Sequence, residues 1–355
     1  MGFWITLDNK EGCWLLYRFS KDEMMKIIGI FIAIILVVLG SSIGGCKKQP
    51  EEYTGPVEKI TIGVGTAPLS LLIWVAENEG YFADNGLDAE IKEYPSGKAA
   101  VEDLLEGKIG LATITEFGFM SKSFNEKDIR IVSSITIANI NSLIARKDKG
   151  IEEISDLKGK HIATVSGTEA EFFLGTFLIF HGISIDDVEI TYGKPSDVVQ
   201  FVSGGEADAA MIWEPNVYKI KTNLEGNTLT WPGQSGQSSY WLLLSKEDFI
   251  TKNPEIVKRT LKALLQAEEF VKTNEDEAKA ILAFHDFDAQ FINDIWQKLD
   301  YTISLPQALI IAMEDGARWR INSKLTEATE IPNYLDYIYH DALEEVKPEA
   351  VGIIR

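Results

Sequence analysis

The sequence predicts a two-lobed α/β fold. Each lobe is a mostly parallel sheet flanked by helices, with a two-strand hinge between lobes and a helical C-terminal tail on lobe 1. Three observations carry this. From Lys59 to Trp213 short apolar runs alternate with helix-length segments, and parallel strands need such helical crossovers. Two further apolar runs, Ser142 to Arg146 and Tyr240 to Ser245, stand where a chain would cross between lobes. From Lys246 onward only helical patterns remain.

Composition fits two domains. The chain has 355 residues, and domains run to ~100–200 residues each. Hydrophobic residues make up 45%, enough for two cores. The formal net charge of -20 excludes bulk nucleic-acid binding, which needs clustered Lys and Arg. Two cysteines, Cys13 and Cys46, give no disulfide framework, and the four histidines, His161, His181, His285 and His340, are not at metal-ligand spacing. The expectation is therefore no cofactor, no metal and no nucleic acid.

In chain order, Met1 to Glu23 have mixed charge and no clear period, and Met24 or Met25 is the expected true start. Ile27 to Leu39 is an apolar run of 13 residues, short for a spanning helix and right for a signal-peptide core of ~7–15 residues. Ile43-Gly44-Gly45-Cys46 follows and resembles a lipobox, in which small residues precede a cysteine that becomes lipid-modified. The alternative is an uncleaved N-terminal anchor. Lys47 to Gly55 reads as a flexible stalk. The expected division is 1–45 extension and signal peptide, 46–56 tether, 57–145 with 240–355 lobe 1, and 146–239 lobe 2.

In the body, Lys59 to Gly65 is the first strand and Thr66-Ala67-Pro68 a loop. Leu69 to Gly80 is a helix and Ala89 to Tyr94 a strand. Ser96-Gly97 opens a helix. Ile109 to Ile114 is a strand, and Thr115-Glu116-Phe117 opens the next helix. Asp128 to Ile137 and Ser142 to Arg146 are strands, the second beginning the crossing near Asn139. In lobe 2, Ile162 to Val165, Val188 to Thr191 and Ala207 to Trp213 are strands. Helices begin at Thr168, Pro195 and Glu214-Pro215. Thr228 to Trp231 is a short strand, Pro232 to Ser239 a Gly/Ser-rich loop, and Tyr240 to Ser245 the return crossing. Helices follow from Pro254 and at Glu275 to Phe284, Asp288 to Lys298, Pro306 to Trp319 and Pro332 to Val346.

Within lobe 2 a set of short motifs stands in order: Asp156 to Lys160 (DLKGK), the strand Ile162 to Val165, Gly167-Thr168, Gly205 to Ala209, and Trp213-Glu214-Pro215. Together they resemble the nitrate/sulfonate/taurine type of solute-binding receptors of ABC importers, which have a periplasmic-binding-protein type II fold related to the thiamine-pyrimidine precursor binders. The opening from Lys59 to Tyr94, with Gly80-Tyr81-Phe82 and Gly86-Leu87-Asp88, is similar to the same family.

The resemblance implies a ligand cleft between lobes, at strand ends and helix starts, where free backbone N–H groups hold acceptor atoms. Ser96-Gly97 and Gly167-Thr168 are the best such starts, with simple helix caps as the competing reading. Ala67, Pro68, Asn139 and Ser166 complete the expected rim. Thr115-Glu116-Phe117 lies where the family places a ligand loop: Phe117 stacks on a flat ligand and Glu116 holds an amine, or Glu116 only answers the helix dipole. Trp213 walls the pocket or is core, and Glu214 faces the ligand or caps its helix. The departure at Glu116 from the small polar residue or Asp-Pro usual in sulfonate and nitrate receptors puts an inorganic anion in doubt. No Arg lies in these loops, and Arg130 and Arg146 read as surface or lobe ion pairs. The carboxylates lean the ligand toward an amine-bearing, zwitterionic, taurine-like or aminopyrimidine-like solute.

The resemblance implies a monomeric, extracytoplasmic receptor, held to the membrane by lipid on Cys46, that hands its small-molecule ligand to an ABC permease and its ATPase. Two alternatives stand. A thiamine-pyrimidine synthase-like enzyme would need a cysteine-rich motif, which the body lacks, and histidines for iron and substrate chemistry, for which no Cys-His arrangement can be proposed. A ligand-sensing accessory protein would act through a partner.

Overall fold

The structure, a computed structural model, describes the backbone of residues 3–8 and 14–19 and the chain from residue 53 to residue 354. It divides into two units, Met1–Glu52 and Tyr53–Arg355. In the first, β1 (Phe3–Asp8) pairs antiparallel with β2 (Trp14–Phe19), Phe3 opposite Phe19 and Asp8 opposite Trp14. No period is evident there, but two runs rich in Trp, Ile, Thr, Leu, Tyr and Phe around the Gly12 segment are a hairpin signal. The candidate starts Met24 and Met25, the apolar run, Cys46 and the tether up to residue 52 lie outside the described residues. Among the described residues no helix is long and apolar enough to cross a membrane.

The second unit begins as read. Strands β3 (Glu58–Gly65), β4 (Leu87–Tyr94), β5 (Leu111–Thr115) and β6 (Ile129–Ala138) are interleaved with α1 (Leu71–Asn78), α2 (Tyr81–Asp84), α3 (Gly97–Leu105) and α4 (Glu116–Ser123). The next strands are β7 (Asn141–Arg146), β8 (His161–Thr164), β9 (Glu189–Tyr192), β10 (Ala209–Trp213) and β11 (Thr228–Pro232), with α5 (Glu169–Phe180), α6 (Pro195–Gly204) and α7 (Asn216–Asn223) between them. The chain returns as β12 (Ser239–Lys246). Then come α8 (Glu247–Lys252), α9 (Pro254–Thr273), α10 (Glu275–Phe284), α11 (Ala289–Trp296), β13 (Leu299–Asp300), α12 (Gln307–Asn322) and α13 (Asp341–Val346).

Two sheets form, in the orders β13-β6-β12-β5-β3-β4 and β11-β7-β10-β8-β9. Both are more mixed than the expected mostly parallel sheets. Strand β3 is parallel to β4 and β5, and β8 to β9 and β10. Strand β12 runs antiparallel to β5 and β6, and β7 antiparallel to β10 and β11. These two reversed strands are the ones that arrive from the other lobe. Because the βα strands end at the cleft, a chain that crosses there enters the next sheet head-first and runs the other way. The first crossing is residues 139–140. Asn141–Arg146 therefore belongs to the second sheet and not, as the 57–145 boundary has it, to the first. The second crossing is residues 233–238.

Gln234 laces the two crossings together. Its Oε1 accepts from Asn141 N–H (3.0 Å), and its Nε2 donates to Ala138 O (3.2 Å) and Gln237 O (2.9 Å). The larger core lies around the first sheet; helix α9 packs on α1 and buries Ile256, Val257, Leu261, Leu264 and Ala267, at helical spacing, in that core, with Leu265 partly buried against it. A smaller cluster including Ile144, Ala163, Val198, Val202, Ile212 and Ile220 holds α6 and α7 on the second sheet.

The tail departs from the all-helical expectation in three places, the first being β13, which pairs antiparallel with β6. The single helix Pro332 to Val346 is broken, because Ile338 bridges Ile131 and Tyr339 N–H donates to Ile131 O (2.9 Å), extending the chain along the sheet edge. Helix α12 runs past Trp319 to Asn322, which carries Arg320 to the cleft.

Candidate ligand cleft

The floor of the cleft is fixed by hydrogen bonds from several strands. Gly65 N–H donates to Thr113 Oγ1 (3.0 Å), and Ser70 Oγ donates to Gly65 O (2.8 Å). Trp241 Nε1 donates to Ser70 Oγ (3.0 Å), Tyr301 OH to Pro68 O (3.1 Å) and Thr136 Oγ1 to Leu69 O (2.7 Å). The loop after β3 is thus held rigid at its backbone. The start of α3 lies against it: a Cβ on Gly97 would stand 2.6 Å from Thr113 O, and one on Gly65 2.7 Å from Gly97 N. Both glycines are required by close approach of backbone.

Between the sheets lies a cavity of about 740 Å³, within the range of small-molecule sites. Ten of the expected residues line it: Ala67, Pro68, Ser96, Gly97, Thr115, Phe117, Gly167, Thr168, Trp213 and Glu214. Three do not. Ser166 Oγ is turned to Glu171 Oε2 (3.3 Å), Asn139 is spent on the crossing, where its Oδ1 accepts from Ser238 Oγ (3.2 Å), and Glu116 is buried behind the wall. Sequence reasoning missed Trp241 and Phe287, which join Phe117 and Trp213 as aromatic walls, and Lys98, Lys122, Ser239 and Arg320; Glu169, an acid that would repel an anion at the Gly167 helix start if it faced it, also lines the cavity.

The helix starts keep only part of their expected role. Ser96 caps α3 by accepting from Ala99 N–H (3.4 Å), and Thr115 caps α4 by accepting from Gly118 N–H (3.1 Å). The Gly167 N–H is taken by Glu171 Oε2 at 2.6 Å, so that amide is not open to a ligand. By helix geometry the other first-turn amides lack intrahelical acceptors.

Arg320 is the group that changes the reading. It reaches from α12 to lobe 2, where its Nη1 donates to Gly167 O (3.1 Å) while Nη2 donates to Leu325 O (3.1 Å). Its Nε is buried without a partner, and among the described residues it makes no ion pair. Burial alone lowers its pKa. A half-buried guanidinium with no carboxylate partner, in a cleft, is a site for an anion.

The carboxylates expected to face the ligand are turned elsewhere. Glu214 is spent: its Oε2 accepts from Tyr218 N–H (2.9 Å), capping α7, and its Oε1 meets Lys298 Nζ (2.8 Å). Glu116 Oε2 accepts from Tyr240 N–H (2.7 Å). Burial, and then the charge of Glu169, push its pKa well above the usual carboxylate range, against the pull of that N–H. Glu169 is raised by burial too, while the Asn141 amide and the Ser239 hydroxyl act the other way. Glu214 and Glu116, the two acids expected to hold an amine, are both engaged by the fold, and burial favours the neutral form of Glu169, so the amine lean loses its support.

A family model described as NMT1/THI5 like matches residues 68–278. The chain belongs to the NMT1/THI5-like family. The family match includes the motifs from Asp156 to Pro215, and the resemblance drawn from them is borne out for family and fold. A provisionally named binding protein of Brucella abortus (strain 2308) is 27% identical over 215 residues, 59% of this chain and 65% of that protein. The chain thus spans slightly under two thirds of the length of these first curated relatives. A provisionally named aliphatic sulfonates-binding protein of Bacillus subtilis (strain 168) is 24% identical over 332 residues, 91% of this chain and 98% of that one. The 4-amino-5-hydroxymethyl-2-methylpyrimidine phosphate synthase THI5 of Saccharomyces cerevisiae is 26% identical over 260 residues, 65% of this chain and 71% of that one. Among solved structures, the periplasmic aliphatic sulphonate binding protein SsuA from Escherichia coli matches with a TM-score of 0.69 at 18% identity, covering 80% of this chain and 98% of that one. That match shows the two-lobed fold.

Proposed function

We propose that this member of the NMT1/THI5-like family is an extracytoplasmic solute-binding receptor. It takes a small organic anion of the sulfonate class into the inter-lobe cleft and delivers it to an ABC importer permease. The observation that carries the ligand class is Arg320, whose Nε is buried in the cleft without a partner and which makes no ion pair among the described residues; Lys98 is a second lining cation without one. Phe117, Trp213, Trp241 and Phe287 suit the apolar part of such a solute, and the names of the sulfonate-binding relatives agree with the chemistry. Binding and lobe closure need no covalent step, and the described residues contain no cluster able to hold a metal ion. Lipid attachment at Cys46 and a monomeric body belong to the same reading and rest on the sequence pattern and the family.

A thermal-shift panel tests it, with taurine, butanesulfonate, nitrate, butylammonium and an aminopyrimidine. A solute at ~100 times its dissociation constant stabilises by ~2.7 kcal/mol, and the sulfonates are expected to give that shift. A shift with butylammonium and none with sulfonates would overturn the ligand class.

A further inference from the structure

We propose that the two lobes share a proton: Glu116 of lobe 1 and Glu169 of lobe 2 meet beside the hinge as a buried acid pair, the closed cleft keeps at least one of them protonated, and opening releases that proton.

The geometry is specific. Glu116 and Glu169 retain only 4% and 9% of their exposure. They are tied to consecutive residues of the returning strand, Glu116 Oε2 to Tyr240 N (2.7 Å) and Glu169 Oε2 to Ser239 Oγ (3.1 Å). The groups around them supply no counter-charge. From β12 comes Tyr240, whose hydroxyl is held neutral by burial and by Glu116. From α5, Glu171 is turned to Gly167 N–H. From α12, Arg320 donates to Gly167 O and Leu325 O and forms no ion pair with either acid among the described residues. No ion pair reaches either acid among the described residues. Glu214 is the contrast, since there the fold supplies Lys298. Two unneutralised carboxylates in one buried site cannot both be charged at ordinary cost, so one keeps its proton.

The pair is placed to sense the hinge. Glu116 moves with α4 and Glu169 with α5, and the crossings at 139–140 and 233–238 lie between their lobes. Opening parts and hydrates the two acids, which returns both toward the ordinary carboxylate range. The closed form therefore binds more protons than the open form. Its advantage is complete below the ordinary carboxylate pKa, declines as the pH rises toward the raised value of the closed form, and is gone above it. Each unit of separation changes the closed-to-open ratio ~10-fold. Glu169 also lines the cleft, and a neutral carboxyl there does not repel an anion. Resting on the anion-receptor reading, solute affinity falls as the pH rises.

Hydrogen exchange on the full chain with no solute added tests the hinge alone. After correction for intrinsic exchange rates, protection of residues 233–240 should fall ~10-fold or more between about pH 5 and about pH 8. In Glu116→Gln and in Glu169→Gln, tested separately, it should stay nearly constant. Should one variant fail to fold, the other reads the same linkage, because removing either acid ends the repulsion. Protection that does not change with pH in the native chain, or that keeps the native pH dependence in the variants, overturns the proposal. Butanesulfonate titrated at the two pH values is the separate arm. No binding at either pH sinks the anion reading and leaves the hinge result to stand by itself. Binding with equal affinity at both pH values overturns the linkage.

Discussion

Glu214 and Glu116 are both buried, both stand at a helix start, and the sequence offers both as acids facing a ligand. The fold treats them in opposite ways. Glu214, on lobe 2, receives Lys298 from the C-terminal region of lobe 1 and caps α7. Glu116, on lobe 1, receives a backbone N–H and a second acid, Glu169, from lobe 2. The first arrangement ties the lobes together by charge, and the second does so only while a proton is present. A carboxylate at a helix start is thus no guide to ligand charge until its partners from distant segments are known.

The contrast can be broken most strongly at Lys298. Lys298→Met leaves Glu214 buried with no cation and should cost about 2–3 kcal/mol in urea unfolding. This is below the full value for a broken buried pair because Lys298 stays 28% exposed. Adding Glu214→Gln to that chain should recover much of the loss. Glu116→Gln should act in the opposite sense and depend on pH. Because its pKa is raised in the folded state, the native chain is most stable below the ordinary carboxylate range and loses stability as the pH rises toward the raised value. Melting curves should therefore show the variant similar to the native chain in acid and more stable than it at mildly alkaline pH. Ser239→Ala removes the hydroxyl beside Glu169 and should cost about 1 kcal/mol by the same unfolding measurement. At the far end, Lys59→Ala breaks a pair in which both side chains are exposed, and its unfolding midpoint should not move measurably.

Much of the scaffold is legible in the sequence because periodicity and punctuation are local signals. Pro195 and Pro254 start helices as expected, the Tyr240–Ser245 run is the returning strand, and the α9 stripe packs as its spacing requires. The strand polarity of the sheets is less so, since it follows from where the chain crosses, which no local pattern encodes. The cleft splits in the same way. The loops that end βα strands carry ten of the expected lining residues, as strand ends in such sheets must. Arg320, Phe287 and Trp241 come from segments far along the chain, and a helix expected to end at Trp319 stops one residue short of Arg320. The unbroken run Arg318-Trp319-Arg320-Ile321-Asn322, with no Gly or Pro, was the available signal.

Calorimetry of butanesulfonate binding to the native chain and to Arg320→Gln tests the central claim most directly. A charge-assisted hydrogen bond contributes ~1.5–3 kcal/mol, so the variant should bind ~10–100-fold more weakly, with butylammonium binding to neither. Equal sulfonate affinity in both chains, or tight binding of butylammonium to the native chain, would contradict it.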